Sequence, residues 1–325
     1  LDREQWGLIS AGKVASYKGF VFATMDPDAP DLYEYLGGVG RMGLDQAAER
    51  GQVVAVDGVQ KNQITCNWKL AVDNLFDWYH PVISHASAGM SGMPLFNQPK
   101  PAPGEPPPPP PSLQGNPMMQ RAVLGEYGHA IAGPRVNDEV RAMMAKAPPN
   151  PEVDESWRER PETVAAMGEA GRDTRGHPNI FPNLWVAMQG SQLSLRLPKG
   201  PGLTEIWWFT FVDKDTTETV QNARIRQANH IFGPAGLLEQ DDGENWDQST
   251  RATAGIVARR YPLNFAMGLG HGVPTKTSDG TPLYIDSVIS EFAQLWTYRA
   301  WAEWMDAESW DSLKQHRMSQ PTEAV

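Results

Sequence analysis

The sequence predicts an α+β fold, an antiparallel sheet of several strands with helices laid over one face. Three observations lead there. Residues 179–188, 192–198 and 204–213 read as a meander of strands, the second strictly alternating and the third carrying Trp207, Trp208, Phe209 and Phe211. Residues 287–310 read as a long helix, with Phe292, Leu295, Trp296, Ala300 and Trp304 at core-like spacing. Residues 51–66 alternate loosely through Val53, Val54, Val56, Val59 and Ile64, and read as one or two strands running into a helical stretch.

Taken in order, residues 14–23 are strand-like and broken at Gly19, and Met25-Asp26-Pro27-Asp28-Ala29-Pro30 is turn chemistry. Asp31 caps a short helix over 32–36, stopped by Gly37-Gly38. Residues 86–94 form a small-residue loop. Residues 98–117 hold ten prolines, six of them unbroken from Pro106 to Pro111, which favours extended polyproline II and excludes sheet or helix. A surface excursion or lid accounts for this insert better than a docking ligand for SH3-like modules. The polar, weakly periodic 121–175 offers helices at 136–147 and 161–170, separated by Pro148-Pro149-Asn150-Pro151. Gly233-Pro234 is a helix entry, and the tail from Gln315 frays.

Composition narrows the function. The 325 residues are 40% hydrophobic and 21% charged, as in an ordinary soluble protein. Twelve tryptophans suggest an aromatic core or an aromatic-lined cavity. A net charge of −11 argues against nucleic acid, and no apolar run spans a membrane or suits a signal peptide. The lone Cys66 excludes an internal disulfide, fits a cytoplasmic setting, and reads as buried filler.

The chemistry concentrates in 67–85, Asn-Trp-Lys-Leu-Ala-Val-Asp-Asn-Leu-Phe-Asp-Trp-Tyr-His-Pro-Val-Ile-Ser-His, which holds two of seven histidines. Asp73, Asp77 and His80 share one helical face. On a regular helix His80 and His85 stand roughly 140° apart. A bulge or break at Pro81 brings both imidazoles round to one metal; the competing reading is a helix C-terminus with two histidines that suit its dipole. Two imidazoles and a carboxylate suit ferrous iron with open positions.

The pattern Asp-x2-His-x4-His behind Asn-Trp-Lys resembles the mononuclear iron site of Rieske-type aromatic-ring-hydroxylating oxygenases, in their large (alpha) subunit. Phe181-Pro182-Asn183-Leu184 ahead of the meander and Asp241-Asp242-Gly243-Glu244-Asn245 at 241–245 are similar to that family too, although an acidic cluster alone reads as a solvated face. The resemblance implies a helix-grip fold, its sheet curving round a long helix to enclose a pocket. It implies iron ligands His80, His85 and Asp242, a bridging Asp77 that accepts a hydrogen bond from His80, and Asn74 beside the iron. Leu75, Phe76, Val82, Trp185, Met188, Phe232, Leu237 and Leu238 are the candidate substrate contacts. It also implies that 1–38 is the tail of an all-β Rieske domain and 39–325 the catalytic domain. One cysteine cannot hold a [2Fe-2S] Rieske cluster, so its ligands are expected upstream of Leu1 or on another chain. An aromatic substrate, dioxygen, a ferredoxin or reductase and a homotrimer, with or without a small beta subunit, complete the implied system. The rival classes are a zinc hydrolase and a non-catalytic helix-grip ligand-binding protein.

Overall fold

The computed structural model describes residues 2–91, 104, 119–144, 155–187, 191–272, 274–275 and 283–317. The proline-rich segment (Gly104 apart), Met188, and the ends of the loop and helix expected at 86–94 and 136–147 lie outside those residues. After a single turn, α1 (Arg3–Trp6), the chain makes a hairpin of β1 (Lys13–Tyr17) and β2 (Phe20–Thr24). Its two-residue turn, Lys18-Gly19, takes φ of 45° and 90°, the positive values that match the twist of paired strands. Asp31 then caps α2 (Leu32–Ala48), accepting from the Glu34 amide at 2.8 Å. The helix does not stop at Gly37-Gly38. Gly37 takes φ 53° and kinks the chain, and a second helical piece continues to Ala48. A domain boundary at 38/39 therefore falls inside α2.

Next come β3 (Val53–Ala55), β4 (Gln60–Ile64) and three short helices, α3 (Trp68–Asp73), α4 (Pro81–Ser84) and α5 (Ala86–Met90). The small residues after His85 thus begin as helix rather than loop. Two strands unannounced by any periodicity follow, β5 (Gln120–Leu124) and β6 (Ala130–Pro134), then α6 (Asp138–Met144) and α7 (Pro161–Asp173). The first meander strand is in fact two, β7 (His177–Ile180) and β8 (Leu184–Val186), joined by a turn. Beyond them lie β9 (Gln192–Gly200), β10 (Leu203–Asp213), α8 (Glu218–Ile231), α9 (Leu237–Thr253), β11 (Pro274–Thr275), β12 (Tyr284–Ser287), α10 (Phe292–Asp306) and α11 (Trp310–Arg317). The helix expected from Gly233 starts at Leu237, because Gly233 takes φ 90° and cannot continue from a helical turn.

Ten strands form one antiparallel sheet in the order β11-β12-β5-β6-β7-β8-β9-β10-β3, with β4 also paired to the long β10. Alternate side chains leave by opposite faces, and the core clusters follow that rule. Trp185 and Ala187 of the β8 region, with Ile206 and Trp208 of β10, join Ala71, Val72, Trp246, Phe292 and Trp296 from α3, α9 and α10. Leu184, Val186, Phe209 and Phe211 join Leu36 and Leu44 of α2 and Phe20 and Phe22 of the hairpin. The sheet is therefore covered on part of its second face as well, not on one face alone. Among the described residues no helix is long and apolar enough to cross a membrane.

Candidate metal centre and its cavity

Asn67 sets the start of α3: its Oδ1 accepts from the Lys69 amide at 3.1 Å and its amide donates to Thr250 Oγ1 of α9 at 2.9 Å. α3 lasts six residues and unwinds into tight turns, Phe76 N to Asp73 O and His80 N to Asp77 O. Pro81 then takes the first position of α4, where its missing amide proton costs nothing. His80 precedes that single turn and His85 follows it, with φ −95° and ψ 15° breaking the run before α5. Of the bulge or break expected at Pro81 the chain makes the break: the stretch is three helical pieces, and both rings turn to the same side.

Asp242 arrives from the second turn of α9. Leu238, four residues earlier, and Trp246, four later, share its inward face. Gly243 lets the helix come close to β4, since a Cβ there would stand 3.0 Å from Ile64 Cδ1.

His80 Nε2, His85 Nε2 and Asp242 Oδ1 are mutually 3.2, 3.4 and 3.5 Å apart. The centre of such a triangle lies about 1.9–2.0 Å from each corner, within reach of the roughly 2.0–2.2 Å bonds these atoms make to a divalent metal. The opposite nitrogens are occupied. His80 Nδ1 is 2.6 Å from Asp77 Oδ1 and His85 Nδ1 is 3.4 Å from Asp241 Oδ2. With a proton on each Nδ1, both Nε2 lone pairs and a buried, unpartnered Asp242 Oδ1 converge on one point. A cation would satisfy all three. Asn74 joins the arrangement, its Nδ2 3.1 Å from Asp77 Oδ1 and its Oδ1 accepting from Trp246 Nε1 at 3.0 Å.

The electrostatics agree. Burial works against a charged His80, but Asp77 and Asp242 outweigh it and lift the ring to about 9. Burial and the neighbouring His80 push His85 down to about 4. Burial carries Asp242 up to about 8, against the pull of His80. Asp77 is also raised by burial, with its His80 hydrogen bond opposing. A coordinated metal demands neutral imidazoles and an ionised carboxylate, so binding releases these protons.

Asn74, expected beside the iron, and the candidate contacts Leu75, Trp185, Phe232 and Leu238 line the cavity beside the triangle. Phe76 is sealed in the core, Val82 is half-buried away from the lining, and Leu237 is exposed on α9, one residue off the inward face. None of the three lines this cavity. Trp78, His177 and Arg196 line the cavity and escaped notice in the sequence. His177 lies between Trp78 and Trp185, each ring 4.8 Å away, and burial, with His80 and Arg196 adding, pushes it down to about 3.

Fold and site together define an α+β pocket protein with a facial donor set of two imidazoles and one carboxylate. The profile of the family described as "Ring hydroxylating alpha subunit (catalytic domain)" matches residues 44–272. Chlorobenzene dioxygenase subunit alpha of Cupriavidus sp. (strain PS12) is 32% identical over 336 residues, covering 98% of this chain and 69% of that protein. Biphenyl 2,3-dioxygenase subunit alpha of Rhodococcus jostii (strain RHA1) is 33% identical over 336 residues, with 98% and 67% covered. Naphthalene 1,2-dioxygenase from Rhodococcus sp., solved with indole bound, superposes with a TM-score of 0.73 at 28% identity, over 95% of this chain and 69% of that one. This chain belongs to the ring-hydroxylating oxygenase alpha-subunit family, an enzyme family of aromatic catabolism, and spans about two thirds of the length of these relatives.

Proposed function

We propose that His80, His85 and Asp242 bind one ferrous iron, and that the adjoining cavity seats an aromatic ring for dihydroxylation with dioxygen. The triangle of ligand atoms, 3.2–3.5 Å on a side with every outer nitrogen already hydrogen-bonded, carries this reading. Two imidazoles and one carboxylate would hold either ferrous iron or a catalytic zinc, and membership of the ring-hydroxylating family favours iron, which would supply dioxygen chemistry. Asp77 fixes the His80 tautomer and orientation. Trp78, His177, Trp185 and Phe232 exclude water and give the ring flat walls.

Iron at this centre would be supplied with electrons from a Rieske [2Fe-2S] cluster of a neighbouring subunit, with Asp77 as the bridging residue, in a homotrimer served by a ferredoxin or reductase, with or without a small beta subunit. The single cysteine of these 325 residues cannot ligate that cluster. We assign residues 39–325 to the iron domain and 1–38 to the segment that leads into it, in a cytoplasmic enzyme. The test is metal analysis of anaerobically purified protein: about one iron per chain is expected, whereas stoichiometric zinc, or no metal after ferrous loading, overturns the reading.

A further inference from the structure

Arg196 is a cavity residue that a pocket for a plain hydrocarbon has no use for. It comes from β9, whose alternation is inverted. The leucines Leu195 and Leu197 are only half-buried, while Gln192, Ser194 and Arg196 are buried at 2%, 0% and 1% exposure. The polar face of the strand therefore points inward. Register places Arg196 opposite Ile206 of β10, and its guanidinium carbon lies 4.4 Å from the Trp185 ring centroid, with Trp208 and Trp246 at 5.9 and 5.8 Å. The planar cation is thus caged by aromatic faces.

The cage leaves two of its three nitrogens without a hydrogen bond. Nε and Nη1 are buried without a partner. Glu239 and Asp242 are the carboxylates whose fields reach it, yet no ion pair joins either to Arg196 among the described residues. Glu239 Oε1 accepts instead from Trp208 Nε1 at 3.3 Å, and Asp242 Oδ1 faces the two histidines. A buried guanidinium is tolerated when an anion and hydrogen-bond acceptors meet it. Here the space it faces is the cavity beside the metal triangle.

We infer that the aromatic substrate carries a carboxylate, which Arg196 binds while the ring lies against Trp185 and Phe232 toward His80, His85 and Asp242. This rests on the cavity being the substrate site. It narrows the substrate class to aromatic acids, in contrast to the uncharged aromatic compounds for which the relatives above are named. Arg196 acts here as a specificity-determining residue.

Equilibrium binding by tryptophan fluorescence, on the ferrous-loaded full chain without oxygen, tests this with benzoate, benzamide and toluene. Benzoate is expected to bind at least tenfold tighter than either neutral ring. Arg196→Met should remove that preference while leaving toluene within about twofold, and Arg196→Lys should keep part of it. Toluene or benzamide binding as tightly as benzoate overturns the inference even if no variant folds, as does unchanged benzoate affinity in a folded Arg196→Met protein. Toluene binding without benzoate preference sinks the aromatic-acid assignment alone. Binding of no ring at all removes the cavity as substrate site and the proposed function with it.

Discussion

Two buried charge clusters in this molecule have opposite logic. At one end of α7, Glu155 sits among three guanidiniums, with Arg158 Nε at 2.6 Å, Arg50 Nη2 at 3.1 Å and Arg175 Nε at 3.7 Å. Burial raises its carboxyl, but the three arginines outweigh it and hold the group down at about 2. Asp242 is more deeply buried and goes the other way, up to about 8, because burial, with Glu239 and Asp77 adding, outweighs the pull of His80 and Arg196. One carboxylate is neutralised by the protein itself. The other is left for a cation that the polypeptide does not supply, and that difference separates a structural cluster from a functional one.

The largest effect that follows is loss of metal. His80→Ala and Asp242→Ala each remove a corner of the triangle, and each should lower bound iron by more than about tenfold while the melting transition stays cooperative. Iron per chain and a thermal melt check both halves. Full iron retention in both variants would falsify the ligand assignment. Protons compete for the same atoms, so iron affinity should also fall as pH drops.

The structural cluster predicts a loss of stability instead. A group whose folded pKa lies near 2, against an ordinary value of 4.5, stabilises the fold above pH 4.5 and loses that contribution as pH falls toward 2. The shift corresponds to about 3 kcal/mol. Glu155→Gln should therefore cost about 3 kcal/mol in urea unfolding at pH 7, and much less at pH 3, with iron content unchanged. An equal cost at both pH values would show that packing, not charge, holds the cluster.

How much of this was readable from the residues depends on which faces are covered. The β7–β10 meander and α10 announced themselves because alternation and helical spacing survive there. β5 and β6 did not, since Ala122 and Leu124 pack under α10 while Val123 packs under α2, and two covered faces erase any period. The second half of α2 was hidden behind Gly37-Gly38, a stop signal that the fold uses as a kink. The histidine pair and Asp77 were legible as chemistry, though not their route. The break at Pro81 could be expected, the division into three short helices could not, and only the tertiary contact of α9 says which aspartate of 241 and 242 turns inward. Arg196 was missed because a polar residue on an alternating strand is read as solvent-facing, whereas β9 turns that face to the cavity.

The two histidines also differ in their supports, and this sharpens the comparison at the level of single hydrogen bonds. Asp77 meets His80 Nδ1 at 2.6 Å and is itself held by Asn74, so it fixes one ring firmly. Asp77→Asn should keep the iron yet cut coupled turnover by about 10–100-fold, the usual cost of losing such a support. Oxygen uptake with product detection, in the iron-loaded chain supplied with a Rieske [2Fe-2S] protein as electron donor, reads this. Unchanged coupled turnover would remove Asp77 from the electron route.

Asp241 should matter least. Its contact with His85 Nδ1 is 3.4 Å, beyond the range of a strong charge-assisted bond, and it divides its oxygens with Ser87 Oγ at 3.2 Å. His85 is already fixed by burial at 3% exposure and by the backbone junction of α4 and α5. Asp241→Asn still offers an oxygen to the ring and to Ser87, so iron content and coupled turnover should both stay within about threefold of the parent. The measurement is the same iron assay and oxygen uptake, run beside Asp77→Asn. If Asp241→Asn loses as much turnover as Asp77→Asn with iron intact, then either carboxylate serves equally well, and the route for electrons cannot be assigned to His80 and Asp77 on geometry. If it loses iron instead, the long contact is tighter in the metal-bound protein, and His85 rather than His80 is the ligand whose orientation limits binding.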